Sequence, residues 1–167
     1  MFLDSLSPFP GLELHLTGGM TGDDEKFVHE IKKKLRSEGV LDDVVFLPEF
    51  DRKNRIQFFK KLNVLTVPIP QGEAFGTFQI EALAAGVPIV QPNMGAFPEF
   101  IQDAGGGVLY EPNDAKHLAE AIGKLLSNPE QMKQLAHQGR EAVLKDYCLD
   151  CMAKNMANVY KRILSSF

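Results

Sequence analysis

The sequence predicts an α/β protein, a doubly wound parallel sheet with helices on both faces, and three observations carry that expectation. Short β-branched or aliphatic runs alternate with amphipathic helical stretches along most of the chain, the order produced when parallel strands are joined by helical crossovers. The first run ends in Thr17-Gly18-Gly19, where glycine allows the tight turn such folds need at the carboxyl end of a strand. The chain has 167 residues, 44% of them hydrophobic, which is the size of one ordinary domain with enough apolar surface to bury a core.

Taken in order, the first strand is expected over Leu12 to Leu16 and a helix over Asp23 to Ser37. Phe27, Val28, Ile31 and Leu35 share the apolar face of that helix, and Gly39 supplies its stop. Val44 to Leu47 reads as the second strand, and Asp51 is placed to cap a helix that turns Ile56, Phe59 and Leu62 toward the core. Val64 to Pro68 is the third strand. Residues 73–86 read as a loop, a short helix and a glycine stop at Gly86, and Val87 to Val90 is the fourth strand. A short helix near Phe97 to Gln102, a strand at Val108 to Tyr110 and a helix from Asp114 to Leu126 complete the alternation. Two helices close the chain, one from Pro129, a favoured first-turn residue, to Lys145 and one from Asp150 to Leu164. No internal repeat or low-complexity segment is visible, so a single domain over residues 1–167 is expected.

Composition excludes several classes of function. The formal net charge is −4, from 18 basic and 22 acidic residues without a long block of like charge, so the concentrated basic surface that nucleic acid requires is missing. No apolar run approaches the ~18 residues that span a bilayer, and the N-terminus lacks a signal-peptide layout. The expectation is a cytoplasmic chain. Cys148 and Cys151 form a C-x-x-C pair near the end of the sequence. A zinc site would need two further ligands and a thioredoxin-like site an early strand before the motif, so packing is the expected role. His15, His29, His117 and His137 show no metal-ligand spacing, and surface or packing roles are expected for all four.

In an open parallel sheet, ligands bind outside the carboxyl ends of the strands, which directs attention to the loops at Gly18, Pro48, Gly72 and Asn93. The third is the richest. Gly76 lets backbone approach a ligand, and the N–H groups of Thr77 and Phe78 open a helix whose unpaired donors and dipole favour an anion such as phosphate. Glycine before a helix is common, and on the pattern alone an ordinary helix start is the better reading. Glu81, likewise, fits a solvated carboxylate near a helix start.

Glu73 and Glu81 are separated by seven residues around Ala74-Phe75-Gly76, and the pair resembles the E-x7-E signature of family 4 retaining glycosyltransferases (glycosyl transferases group 1). Residues 81–90, Glu81-Ala82-Leu83-Ala84-Ala85-Gly86-Val87-Pro88-Ile89-Val90, are similar to that family's E-A-x-A-x-G-x-P-V-V segment. Gly95-Ala96-Phe97-Pro98-Glu99 resembles its G-G-x-x-E turn, and residues 108–114 follow its usual course. Ala74 stands where glycine is common in the family. The resemblance covers Leu12 to the C-terminus. It implies a Rossmann-like domain, the C-terminal half of a GT-B fold, that binds a nucleotide-diphospho-sugar donor without cofactor or metal; no DxD-like carboxylate cluster is present, in keeping with such chemistry.

The resemblance also assigns roles. Glu81 is expected on the ribose hydroxyls, since an ionised carboxylate accepts from both hydroxyls of a cis diol. Glu73 is expected by the transferred sugar, as the candidate catalytic residue, and backbone from Phe75 through Gly76 and Thr77 to Phe78 at the sugar and diphosphate. Leu47 and Pro48 would border the base, and Gly18 and Gly95 would border the pocket. Glu99 reads as a helix-start carboxylate.

The family normally opens this domain with a strand and a G-R-x-x-x-x-K-G stretch, whose Arg and Lys bind the diphosphate and offset charge on the leaving group. That stretch is missing here, and Met1-Phe2-Leu3-Asp4 resembles the end of the helix that follows it. The absent strand would lie in mid-sheet, between the strands at Leu12 and Val64. A complete enzyme also has an N-terminal acceptor domain, so this domain's expected partners are the nucleotide-sugar and that further domain, the whole being cytoplasmic or membrane-peripheral. The alternatives are a non-catalytic nucleotide-sugar-binding or assembly module and, more distantly, a GT-B epimerase-like or phosphorylase-like domain; a phosphorylase would need a pyridoxal phosphate lysine in a much longer chain.

Overall fold

The structure, a computed structural model, describes residues 9–18, 22, 24–47 and 51–166, Arg52 without its side chain. It divides into two compact units, residues 1–58 and 59–167. The first holds β1 (Leu14–Thr17), α1 (Asp24–Ser37), β2 (Val44–Leu47) and the start of α2 (Arg52–Lys61). β1 and β2 pair in parallel, Leu14 opposite Val44 through Thr17 opposite Leu47, so α1 is a crossover helix as the alternation predicts. Acidic Asp24 and Glu25 in its first turn and Lys34 and Arg36 in its last complement the helix dipole. Gly39 ends it at φ +74° while the Val40 N–H reaches back to Leu35 O. Lys32 Nζ sits 4.6 Å from the centre of the Phe46 ring, a cation–π tie between α1 and β2.

The apolar face of α1 is only partly covered. Phe27 is 63% exposed, and Val28, Ile31 and Leu35 are only half-buried. The face lines an open groove of about 420 Å³ with Leu16 and Phe46 instead of closing a core. α2 is capped as predicted, Asn54 N–H donating to Asp51 Oδ1 at 2.8 Å. Its buried stripe is shifted, however: Phe58 and Phe59 are buried and Ile56 is 48% exposed. At 100° per residue Ile56 lies roughly 110° from the midline between the two phenylalanines, too far round to share their contact.

The second unit carries α3 (Thr77–Ala84), β3 (Ile89–Pro92), α4 (Phe97–Ala104), β4 (Gly107–Tyr110), α5 (Ala115–Leu126), α6 (Pro129–Asp146) and α7 (Leu149–Leu164). β3 and β4 pair in parallel, from Ile89 opposite Gly107 to Pro92 opposite Tyr110. The strand expected at Val64 to Pro68 reduces to a single parallel bridge, Leu65 to Ile89. Leu65 exchanges bonds with Pro88 O and Val90 N–H, but the next donor, Val67 N–H, goes to the side-chain Oε1 of Gln91 at 3.1 Å. Pro68 has no N–H to continue the ladder, and Ile69 N–H turns back onto Val67 O. β3 starts two residues later than the sequence suggests. Gly86, at φ +78°, ends α3, and Val87 N–H is spent on Ala82 O in closing that helix.

All four residues of β3 are buried, as a strand covered on both faces should be. α4 and α5 pack on both strands, α3 packs on β3, and α6 packs against α3, α4 and α5. Leu83, at 0% exposure, is the wedge between these helices. A Cβ built on Gly106 would lie 2.5 Å from Leu83 Cδ2, and one on Gly139 of α6 would lie 2.7 Å from the same atom and 2.7 Å from Gly106 Cα. Asp114 caps α5 by accepting from Lys116 and His117 N–H groups, and Asn128 caps α6 through Gln131 N–H, with Pro129 in its first turn. The His117 N–H, followed by that of Lys116, holds the Asp114 carboxyl below its usual range.

α7 has no buried residue. Its N-terminal turn also corrects the packing role expected for the cysteines, because Cys148 and Cys151 are joined in a disulfide. A C-x-x-C pair at a helix start brings the two sulfurs onto one turn, a proximity that sequence spacing alone did not assign.

Gly139 gives a direct test of the helix packing. Alanine is the better helix former by about 1 kcal/mol, yet its methyl would meet the Gly106 backbone, and overpacking costs about 1–3 kcal/mol. Gly139→Ala is therefore expected to lower the stability measured by urea unfolding. An increase would mean that the two backbones are not in close contact.

Candidate functional site

Three loops leave the carboxyl ends of the parallel segments of the second unit: residues 69–76 after the Leu65 bridge, 93–96 after β3, and 111–114 after β4. They are tied together by backbone. Asn93 N–H donates to Tyr110 O at 2.8 Å, Ala96 N–H donates to Glu73 O at 2.9 Å, and Asn113 Nδ2 donates to Pro70 O at 3.4 Å. Two glycines make the middle contact possible. Gly72 has φ +77°, and a Cβ there would lie 2.8 Å from Met94 Cγ. Gly95 has φ +59°, and its Cβ would meet Glu73 O at 2.6 Å and Glu73 N at 2.8 Å. Only glycine combines a left-handed conformation with such an approach. The loop carrying Glu73 is thereby held against the loop carrying Gly95.

From this anchor the chain runs through Ala74 and Phe75 to Gly76, which is left-handed (φ 74°, ψ 76°) and stands at the N-cap of α3. Gly76 offers no side chain to cap α3, and the first-turn N–H groups of Thr77 and Phe78 are the ones a helix leaves without an internal carbonyl. Thr77 is exposed, Phe78 half-buried and Phe75 47% exposed. The turn is fixed from inside by Gln79, which is fully buried and donates from Nε2 to Phe75 O at 2.8 Å. Phe78 is further seated by its ring contact with Phe97, 6.3 Å between centroids.

The two glutamates of the expected signature take different positions. Glu73 is half-buried, and its Oε1 accepts from the N–H of Ala74 at 2.9 Å, so its carboxylate folds over its own loop. Glu81 is half-buried in the second turn of α3. Seven intervening residues divided between a loop and one helical turn thus place Glu73 just before α3 and Glu81 one turn into it. Gly95 joins the same cluster through its backbone contact with Glu73. Beside these loops, burial pushes the Tyr110 phenol above its usual value, so it remains a neutral hydroxyl.

The remaining expected border residues fall in the first unit. Gly18 and Leu47 both line the groove at the carboxyl ends of β1 and β2, with Thr17, Asp24 and Lys32 among its polar groups. Pro48 lies outside the described residues. Glu99 is in the first turn of α4, as expected for a helix-start carboxylate. Each of three histidines has an acidic neighbour: His15 with Glu13, His117 with Asp114 and His137 with Glu141. Among the described residues no three His, Cys, Asp or Glu side chains gather as a metal site would require.

Sequence reasoning named the loop at Gly72 without its close contact with Met94 and Gly95, and it missed Gln79, Gln91 and Asn113. Asn113, at φ 59°, was signalled by the Pro112-Asn113-Asp114 turn pattern. The buried glutamines carried the weaker signal of a polar residue inside an apolar run. Their amides are half-used: Gln91 Oε1 accepts from Val67 N–H and Gln79 Nε2 donates to Phe75 O, whereas Gln79 Oε1 and Gln91 Nε2 find no partner among the described residues.

Comparison with known proteins places this geometry. Residues 3–142 match the sequence profile of the family described as glycosyl transferases group 1. The chain is similar to the phosphatidyl-myo-inositol mannosyltransferase of Mycobacterium leprae, at 30% identity over 137 residues, which is 81% of this chain and 36% of that protein. It superposes on sucrose-phosphate synthase from Thermosynechococcus elongatus with a TM-score of 0.83 at 26% identity, covering 99% of this chain and 42% of that one. Anabaena Alr3699/HepE, solved in complex with UDP, shares the fold at a TM-score of 0.84 and 20% identity, covering 99% and 44%. The chain spans less than half the length of each of these three proteins. The shared α/β fold and the profile match over most of the chain identify it as a member of the glycosyl transferases group 1 family.

Proposed function

We propose that this chain is a single donor-binding domain, the nucleotide-sugar half of a retaining glycosyltransferase. The observation that carries the reading is the uncapped start of α3 behind left-handed Gly76, with Glu73 on one side of it and Glu81 on the other. First-turn N–H groups and the positive end of the helix dipole suit the diphosphate of an activated sugar. Glu81 would take the ribose hydroxyls as a bidentate acceptor. Glu73 would turn from Ala74 N–H toward the transferred sugar, and backbone from Phe75 to Phe78 would contact sugar and phosphate. Gly95 would line the pocket.

The chemistry would be front-face displacement at the anomeric carbon, the glycosidic bond to the acceptor forming on the face from which the diphosphate departs. Amides near Gly76 would stabilise the growing negative charge, the contribution usually largest in such transfers. The G-R-x-x-x-x-K-G cations that complete this stabilisation in the family are not in this sequence, and a further domain would supply the acceptor. α7 supports that part of the reading. Leu149, Met152, Met156, Val159, Tyr160 and Ile163 are all exposed on it, an apolar face suited to burial against another domain.

Titration calorimetry with UDP, GDP, ADP and their common sugar conjugates tests the proposal. One nucleotide is expected to bind saturably, and Glu81→Ala to weaken it roughly 10- to 100-fold, as loss of hydrogen bonds to a charged acceptor implies. A well-folded chain that binds none of them would sink the donor-binding reading. Gly95→Ala tests the loop contact with both glutamates intact. Strain and the clash with Glu73 should cost about 1–3 kcal/mol, remove hydrogen-exchange protection from the Ala96 amide and weaken the same nucleotide. Unchanged protection and affinity would show that the loop contact does not shape the site.

A further inference from the structure

The disulfide at the start of α7 has no part in the donor site, and its surroundings give its two sulfurs different chemistry. α6 ends at Asp146, and Tyr147 anchors the turn that follows, its N–H on Val143 O and its ring edge-on to Phe100 with centroids 5.2 Å apart. Cys148 is the N-cap of the 16-residue α7, and its Sγ accepts from the Cys151 N–H at 3.1 Å. Cys151 Sγ instead lies 2.8 Å from the carbonyl oxygen of Lys145, in the last turn of α6. Neither residue is buried. A negative charge on Cys148 would thus meet an N–H donor and the positive end of a helix dipole, whereas on Cys151 it would face a carbonyl oxygen that favours an S–H proton.

We propose that Cys148 and Cys151 form a thiol–disulfide exchange site, opened by a dithiol reductant and closed again by the corresponding disulfide. A thiolate of the reductant attacks Cys151 Sγ, the Cys148–Cys151 bond breaks, and Cys148 departs as the thiolate held at the α7 N-cap. The reductant's second thiolate then attacks its own sulfur in the mixed disulfide and releases Cys151. Two electrons and two protons pass from reductant to protein, leaving two cysteine thiols and an oxidised, cyclised reductant. The better-stabilised thiolate is the faster leaving group, which selects Cys148 for that role. A bridge across one helical turn constrains little of the unfolded chain, so long-range stabilisation is a poor account of its presence.

The folded chain is equilibrated in reduced and oxidised dithiothreitol mixtures and followed by intact mass, with circular dichroism to monitor the fold. Reversible loss and recovery of two hydrogens, without unfolding, is expected. In the reduced protein, iodoacetamide should modify Cys148 with a pH midpoint at least one unit below that of the urea-unfolded chain. Cys151→Ser should keep that low midpoint and Cys148→Ser should lack it. The proposal is overturned if the bond never forms in the redox series, if it opens only when the chain unfolds, or if Cys148 in the folded protein is alkylated with the midpoint of the unfolded chain.

Discussion

The second unit is organised by the close approach of α3, α6 and the segment before β4, where Leu83 fills the space left by Gly106 and Gly139. Side chains at either glycine would force the backbones apart, because protein interiors have no spare volume at such contacts. The Arg140 guanidinium closes the same junction from outside by donating to the Ala84 carbonyl at the end of α3. α3 is only eight residues long, too short to be stable alone, so its direction is inherited from this packing. The position of its N-terminus, and with it the candidate site, follows from contacts at its other end.

Around that N-terminus the site is built mostly from backbone. Gly72 and Gly95 let two loops touch, Ala96 N–H and Glu73 O lock them, and Gln79 holds Phe75 O from the interior. Backbone donors fixed in this way need little reorganisation when charge arrives, which is the physical basis of anion binding at helix starts. The side chains are more adaptable. Glu73 rests on its neighbour's N–H; in the proposed donor complex that partner would be exchanged for a ligand hydroxyl, at small cost because both are hydrogen bonds to the same carboxylate.

Family membership and geometry meet at this segment. Residues 73–86 carry the motif by which the chain resembles the glycosyl transferases group 1, and the same residues form the uncapped helix start and its glycine stop. The spacing between the glutamates is thus the length of a structural unit, one loop plus one helical turn. The disulfide lies beyond residue 142, where the family match ends. Its chemistry belongs to the α6–α7 junction and needs no reference to the loops around Glu73.

The order of strands and helices was determined by the sequence itself, because local periodicity, glycine stops at Gly39 and Gly86, and caps at Asp51 and Asp114 act within a few residues of where they stand. The candidate segment from Glu73 to Glu81 was legible for the same reason, its chemistry being contiguous. Only the tertiary structure decided that Phe58 is buried and Ile56 exposed, since helical period defines a stripe but the packing partner chooses its midline. It also decided that Val64 to Pro68 makes one bridge, because the pairing of Val67 depends on Gln91, which is distant in sequence. The contacts of Gly72 with Gly95 and of Gly106 with Gly139 were equally invisible. A glycine in a sequence announces freedom of the chain, and what approaches it is settled only when the rest of the fold is in place.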